Sequence, residues 1–203
     1  MNARTKPVAA PDEGNRRAEL IRAAGHLFRE KGYDATTIRD IAAAVGMRSG
    51  SPFYHFRSKQ EMLKAVILEG MLSALAAIEA VAARRLGPRE TFQALIRAHL
   101  DIILRSGGDF APVLLHEWRS LSAESRAEIV ATKDRYEGIW QKALKDLKKA
   151  GLIRDDSSLA RLLIFGSINW TAQWYRPDGK LSIEKLARHT AEFFLTQNLS
   201  QSK

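Results

Sequence analysis

The chain has 203 residues, 45% of them hydrophobic and none of them cysteine, which is enough apolar sequence for a buried core in one domain or two small ones. The lack of cysteine excludes a disulfide framework, cysteine-ligated zinc and a cysteine nucleophile, and suits a reducing, cytoplasmic setting. The net charge of +9 excludes a polyacidic protein and favours a polyanionic partner.

Residues up to 64 hold 12 Lys and Arg against 7 Asp and Glu, a net +5, and the remainder 20 against 16, a net +4, so the first third is the more basic per residue. Residues 1–12 carry Arg4, Lys6, Pro7 and Pro11 but no apolar stretch, so they read as a mobile arm rather than a secretory signal. No run approaches the ~20 consecutive apolar residues of a membrane span, so a membrane is not an expected partner.

Helical periodicity then runs almost throughout, and no strand alternation appears. Leu20, Ala23, Ala24, Leu27 and Phe28 form an apolar stripe on a helix from Glu13 to Lys31, with Gly32 as its stop. Thr36 or Thr37 caps a second helix, with Asp40 completing a capping box to Thr37, and Gly46 ends it. A short third helix is expected over about Ser49–His55. Ser58 with Glu61 forms a second capping box, opening a long helix to about Arg85. Gly87-Pro88 breaks that helix and starts the next, which ends at Gly107-Gly108. Further helices are expected over about Phe110–Ser120, from Ser122 or Ser125 to Gly151, from Asp156–Ser158 to Tyr175, and from Ser182 onward. The fold class is therefore all-α, with about nine helices and no repeats.

The strongest motif is Thr36-Thr37-Ile38-Arg39-Asp40-Ile41-Ala42-Ala43-Ala44-Val45-Gly46, followed by Met47 to Phe56. Two short helices around a glycine turn match a helix-turn-helix. Ala42, Ala43 and Ala44 keep the first helix thin, and Gly46 permits a positive φ in the turn. The second helix opens on Ser49, Gly50 and Ser51, whose free N–H groups suit a phosphate or base edge, with Pro52 in the first turn. Such a helix enters the DNA major groove N-terminus first.

Residues Arg17 to Val66 resemble the DNA-binding domain of the TetR (tetracycline repressor) family of regulators. The resemblance is carried by Ala24, Leu27, Phe28, Gly32 and Tyr33, by Thr36-Thr37-Ile38, Ile41-Ala42 and Gly46, and by Gly50, Tyr54-His55-Phe56, Ser58-Lys59 and Leu63. One departure is Arg48-Ser49, where the family usually has a small hydroxyl residue and then often a basic one. The resemblance implies a reading domain over 13–60 and a ligand-binding and dimerisation domain over 61–203. It implies DNA contacts from Thr36, Thr37, Arg48, Ser49, Gly50, Ser51, Phe53, Tyr54, His55 and Lys59. Of these, Thr37, Tyr54, His55 and Lys59 would meet phosphates, and Arg48, Ser49, Ser51 and Phe53 would face bases.

In this family the last two helices form the homodimer interface, implying that role here for Leu159, Leu162, Leu163, Gly166, Ile183, Leu186, Phe193 and Phe194. An ordinary core is the competing reading for about half of these. The middle helices of the family enclose a pocket whose ligand releases palindromic operator DNA. Candidates for it are His99, Ile103, His116, Trp118, Arg119, Tyr136, Trp140, Asn169 and Gln173. The segment Asn169 to Ser182 is similar to a motif of acyl-CoA-sensing members, in which Trp170 and Trp174 would stack and Arg176 would meet phosphate. The same segment suits a turn that only shapes the dimer interface.

Two other readings are a drug-efflux regulator taking lipophilic ligands, with Asp101 or Glu117 acidic in the pocket, and an architectural DNA-binding protein with no effector. An enzyme is not expected. The five histidines form no metal spacing, Gly107-Gly108 lacks a following Lys-Ser/Thr, and no Gly-x-Ser-x-Gly elbow occurs, so neither catalytic residue, metal nor cofactor is assigned.

Overall fold

A computed structural model describes residues 13–48, 50–104 and 110–196. The expected arm over 1–12, Ser49 and the break at Gly107-Gly108 lie outside the described residues. Those described form eight α-helices and two single-turn 3₁₀ helices, with no strand. The α-helices are α1 (Glu13–Lys31), α2 (Ile38–Ala44), α3 (Lys59–Ala82), α4 (Pro88–Leu104), α5 (Phe110–Glu117), α6 (Ala123–Lys149), α7 (Ser158–Trp174) and α8 (Ile183–Phe194). The 3₁₀ turns are Ser51–Tyr54 and Trp118–Ser120.

The helix starts follow from side-chain capping. Thr37 Oγ1 accepts from the Asp40 N–H at 3.1 Å, and Asp40 Oδ2 accepts from the Thr37 N–H at 2.9 Å, completing the expected box. At α3 the box is displaced. Ser58 accepts from the Glu61 N–H, but the Glu61 carboxylate reaches the Arg57 N–H rather than that of Ser58. Ser122, Ser157 and Ser182 cap α6, α7 and α8 in the same way.

The third expected helix is only one 3₁₀ turn. Pro52 occupies its first turn and Gly50 supplies no side-chain cap, so it does not extend. Likewise the stretch expected over Phe110–Ser120 divides into α5 and a 3₁₀ turn.

α3 is the central helix, packing on α1, α4, α5 and α6, while α4 carries α7 and α8. By length and mean composition α3 is apolar enough to cross a membrane, although Lys64, Glu69 and Glu79 interrupt it, so it holds no run of ~20 consecutive apolar residues. Its Met62, Leu63, Val66, Ile67, Leu75 and Ile78 nonetheless lie in the core. Its charged positions pair with neighbouring helices, as in Lys64–Glu128 at 2.6 Å and Arg135–Glu79 at 2.7 Å. Trp140, Phe28, Phe56 and Phe92 are fully buried, each contributing about 1.5–3 kcal/mol through removal of apolar surface from water.

Candidate functional site

α2 buries Ile41 and Ala42 and turns at Gly46, whose φ of +66° needs glycine. The Met47 N–H returns to the Ala42 carbonyl at 2.8 Å, fixing the angle at which the chain leaves α2. Pro52 and Phe56 anchor the following turn from inside, so Phe53 and Tyr54 between them point outward. Tyr54 is 91% exposed and Phe53 54% exposed. Arg48, Gly50 and Thr37 are also exposed, and Ser51 and His55 half-buried. These side chains form one surface of the reading unit.

Two expected contact residues face elsewhere. Thr36 is completely buried, and its hydroxyl donates to the carbonyls of Gly32 at 2.8 Å and Leu27 at 3.2 Å, so it ties the end of α1 to the approach to α2. The Lys59 ammonium donates to the carbonyls of Tyr33 at 2.8 Å and Thr36 at 3.0 Å and lies 4.1 Å over the Tyr33 ring. It clamps the α1–α2 connection instead of standing free for a phosphate.

A cavity of about 460 Å³ lies between α3, α4, α5, α6 and α7. Of the expected ligand residues, His99, Ile103, Trp118, Tyr136 and Asn169 line it. Trp140 is fully buried behind that wall, packed edge-on to His99 and Phe165. His116 and Arg119 are exposed and do not line it. Trp170, Gln173, Trp174 and Arg176 are also off the wall. At about 100° per residue, the turn that points Asn169 inward carries Trp170 off that face, while Gln173, one turn further along the same face, lies exposed past the wall near the end of α7.

Sequence reasoning missed Met71, Phe110, Leu114, Phe165, Lys133 and Glu137 on the wall. Only the Lys133–Glu137 pair left a trace, as an i,i+4 ion pair on the helix of Tyr136.

The polar part of the wall is a chain of three side chains. The Tyr136 hydroxyl lies 2.8 Å from His99 Nδ1, and His99 Nε2 lies 2.9 Å from Asn169 Oδ1. Burial pulls the His99 pKa down to about 4, against a smaller opposing effect of Asn169, so the ring is neutral. Burial likewise pushes the Tyr136 hydroxyl far up, against the nearby Trp140 indole. Glu137 is held by Lys133 at 2.8 Å and by Arg161 at 2.7 Å. Glu117 lies outside the cavity, and Asp101, also off its wall, is 3.3 Å from Arg97 Nε.

Glu117, the last residue of α5, joins this region to the reading unit. Its carboxylate accepts the Tyr33 N–H at 2.9 Å and the Ser120 hydroxyl at 2.8 Å. Gln60 Nε2 donates to the Ser120 carbonyl. At the other end of α5 the Phe110 ring lies on Gly70, where an added Cβ would come 2.0 Å from Phe110 Cγ.

The outer face of α7 bears Leu159, Leu162, Leu163, Gly166, Trp170 and Trp174, all exposed, with Trp170 67% exposed. Their 3- and 4-residue spacing makes one stripe. Phe193 on α8 is 84% exposed. Leu186 is instead buried in its own core, and Ile183 and Phe194 are half-buried against it, because α8 turns these positions toward α4.

Residues 20–66 match the family described as bacterial regulatory proteins, tetR family, and residues 85–197 match the tetracyclin repressor-like C-terminal domain. The HTH-type transcriptional repressor KstR2 of Rhodococcus jostii (strain RHA1) is 33% identical over 91% of this chain and 92% of its own. The crystal structure of superantigen PfiT is 42% identical, with TM-score 0.75, over 92% of this chain and all (100%) of that one. AibR, solved in complex with isovaleryl coenzyme A and operator DNA, is 27% identical, with TM-score 0.80, over 88% of this chain and 97% of its own.

Proposed function

Because this chain belongs to the TetR family of bacterial regulatory proteins, we propose that it is a homodimeric transcriptional repressor released from a palindromic operator by an acyl-CoA filling the α3–α7 cavity. The observation that carries this reading is α5. It lines the cavity with Phe110, Leu114 and Leu115, and its last residue is hydrogen-bonded to Tyr33 of the reading unit. One short helix thus touches both the ligand space and the DNA-reading element, as coupling between two sites requires.

In this reading residues 13–60 are the DNA-reading domain and 61–203 the effector and dimerisation domain. Thr37, Arg48, Ser51, Phe53, Tyr54 and His55 meet the operator in the cytoplasm, with Gly50 allowing close backbone approach. The protein's role is non-enzymatic. The exposed α7 stripe with Phe193 supports a two-fold partner, because a monomer rarely leaves such a patch in water. Trp170 and Trp174 belong to that face, so a CoA moiety reaching them would run from the cavity toward the subunit boundary.

AibR is seen in complex with isovaleryl coenzyme A and operator DNA, and that supports the effector class. A lipophilic cation is less well served, since the Glu137 carboxylate on the wall is already paired with Lys133 and Arg161. The superantigen activity named for PfiT belongs to that protein.

The test is to select bound DNA from random sequence and titrate the complex with acyl-CoAs, free CoA and lipophilic cations, following fluorescence anisotropy. Release by acyl-CoA but not by CoA is expected. Palindrome binding indifferent to every acyl-CoA would remove the effector claim, and the absence of sequence-selective binding would remove the regulator claim.

A further inference from the structure

We infer that the side-chain amide of Asn169 reads a neutral carbonyl group, a ketone or thioester, on an otherwise apolar effector. This rests on the cavity being the effector site, and it names what that site selects.

The direction of the Tyr136–His99–Asn169 chain decides which atom is left for a ligand. Each link needs one donor and one acceptor, so one end fixes the whole. At the inner end, the buried Trp140 indole N–H has no well-formed hydrogen bond and lies beside the Tyr136 hydroxyl. An indole nitrogen only donates, so the phenol oxygen faces a donor there and gives its own proton to His99 Nδ1. The neutral ring then carries its proton on Nε2 and donates it to Asn169 Oδ1. The opposite direction would leave the Tyr136 O–H and the Trp140 N–H as two buried donors facing each other.

The Asn169 carbonyl is thereby used, and its NH₂ remains. That group has no protein acceptor among the described residues, and Asn169 lines the cavity. It is a directed donor held by a rigid buried chain.

The surroundings exclude a charged ligand group. Met71, Ile102, Leu114 and Phe165 are apolar, and Lys133 is committed to Glu137. A carboxylate entering here would lose its hydration with no uncommitted cation on the described wall. A neutral carbonyl loses far less and gains the Asn169 donor.

The test uses the full-length protein and matched probes measured by isothermal titration calorimetry without DNA. One pair is a medium-chain acyl-CoA and the S-alkyl-CoA thioether of equal length, which lacks only the carbonyl. The second is a medium-chain methyl ketone and the carboxylate of equal length. The thioester is expected to bind the parent protein about tenfold tighter than the thioether and equally with it to Asn169→Leu. The ketone is expected to bind the parent tighter than the carboxylate and to lose about tenfold of its affinity in the variant, while the carboxylate, rejected by the apolar wall, changes little. If Asn169→Leu does not fold by circular dichroism, Asn169→Ser serves in its place. Thioester and ketone affinities unchanged in the variant, equal binding within both pairs, or no binding of any carbonyl compound would overturn the inference. Thioesters that fail while the ketone shows an Asn169-dependent advantage would sink the acyl-CoA reading and leave this one standing. Thioester and thioether that bind alike, with no Asn169-dependent binding of the ketone, would do the reverse.

Discussion

Glu117→Ala tests the link between cavity and reading unit directly. The carboxylate accepts one hydrogen bond from the Tyr33 backbone at 2.9 Å and one from Ser120 at 2.8 Å. Hydrogen bonds to a charged group are worth about 1.5–3 kcal/mol each, and partial exposure of the site puts these at the low end. Water recovers part of what Tyr33 loses, so the docking of α5 on the reading unit should weaken by about 2 kcal/mol. Coupling energies between linked sites are typically about 1–3 kcal/mol, so losing this contact is enough to erase most of one. The assay is operator affinity by anisotropy, with and without saturating effector, beside thermal melts of each protein. The expected result is a folded variant with near-parental operator affinity, in which effector shifts that affinity less than about threefold. An unchanged effector-induced shift together with a lowered melting temperature would refute the reasoning. It would make Glu117 a structural tie and leave the long helix α3 as the carrier.

Three further outcomes follow from other parts of the molecule. Tyr54→Ala should leave stability within about 0.5 kcal/mol, since the ring is 91% exposed, yet weaken operator binding by about tenfold or more in anisotropy titrations. Gly70→Ala should drive the Phe110 ring off α3, costing about 1–3 kcal/mol in urea denaturation and weakening effector binding more than operator binding. His99 titrates near 6.5 in the unfolded chain and at about 4 when folded, so the unfolded state takes up the proton first. Its contribution is therefore complete above pH 6.5 and is lost as pH falls toward 4, by about 3 kcal/mol over that window. Urea midpoints across the window should fall less steeply in His99→Phe than in the parent.

The helices were legible because their signals are local. Capping by Thr37, Ser58, Ser122 and Ser182, and the stops at Gly32, Gly46 and Gly151, each depend on a few neighbouring residues. The fold of the reading unit was legible for the same reason, but the positions of Thr36 and Lys59 were not. Their partners are backbone carbonyls of the α1–α2 connection, and a pattern match assigns a residue type without saying what it is bonded to. The cavity was only half legible. Apolar residues at helical spacing serve a core or a pocket equally well, and the difference lies in how five helices meet. Asn169 and Trp170 show the limit most plainly. One motif contains both, but only the phase of α7 against α4 and α6 places the first on the cavity and the second in solvent. Glu117 drew attention as a possible pocket acid, while its partner Tyr33 is 84 residues away.

That phase of α7 also creates a second route out of the cavity, which a monomer would lack. Phe165 and Asn169 face the ligand space, while Leu163, Gly166 and Trp170 on the same rigid helix face outward. A ligand that shifts the inner face must shift the outer one, and in a dimer that re-aims the two reading units relative to each other. The route through α5 and Glu117 needs no partner. Leu163→Glu places a charge in the exposed stripe, where it costs the monomer little but opposes burial against a second copy. Sedimentation should therefore show this variant as a folded monomer. Hydrogen exchange at the Tyr33 amide then separates the two routes, because Glu117 protects that proton. Effector that accelerates exchange at Tyr33 in the monomer places the coupling within the protomer. Acceleration confined to the parent protein would mean that the Tyr33–Glu117 contact only follows a change begun at the α7 face.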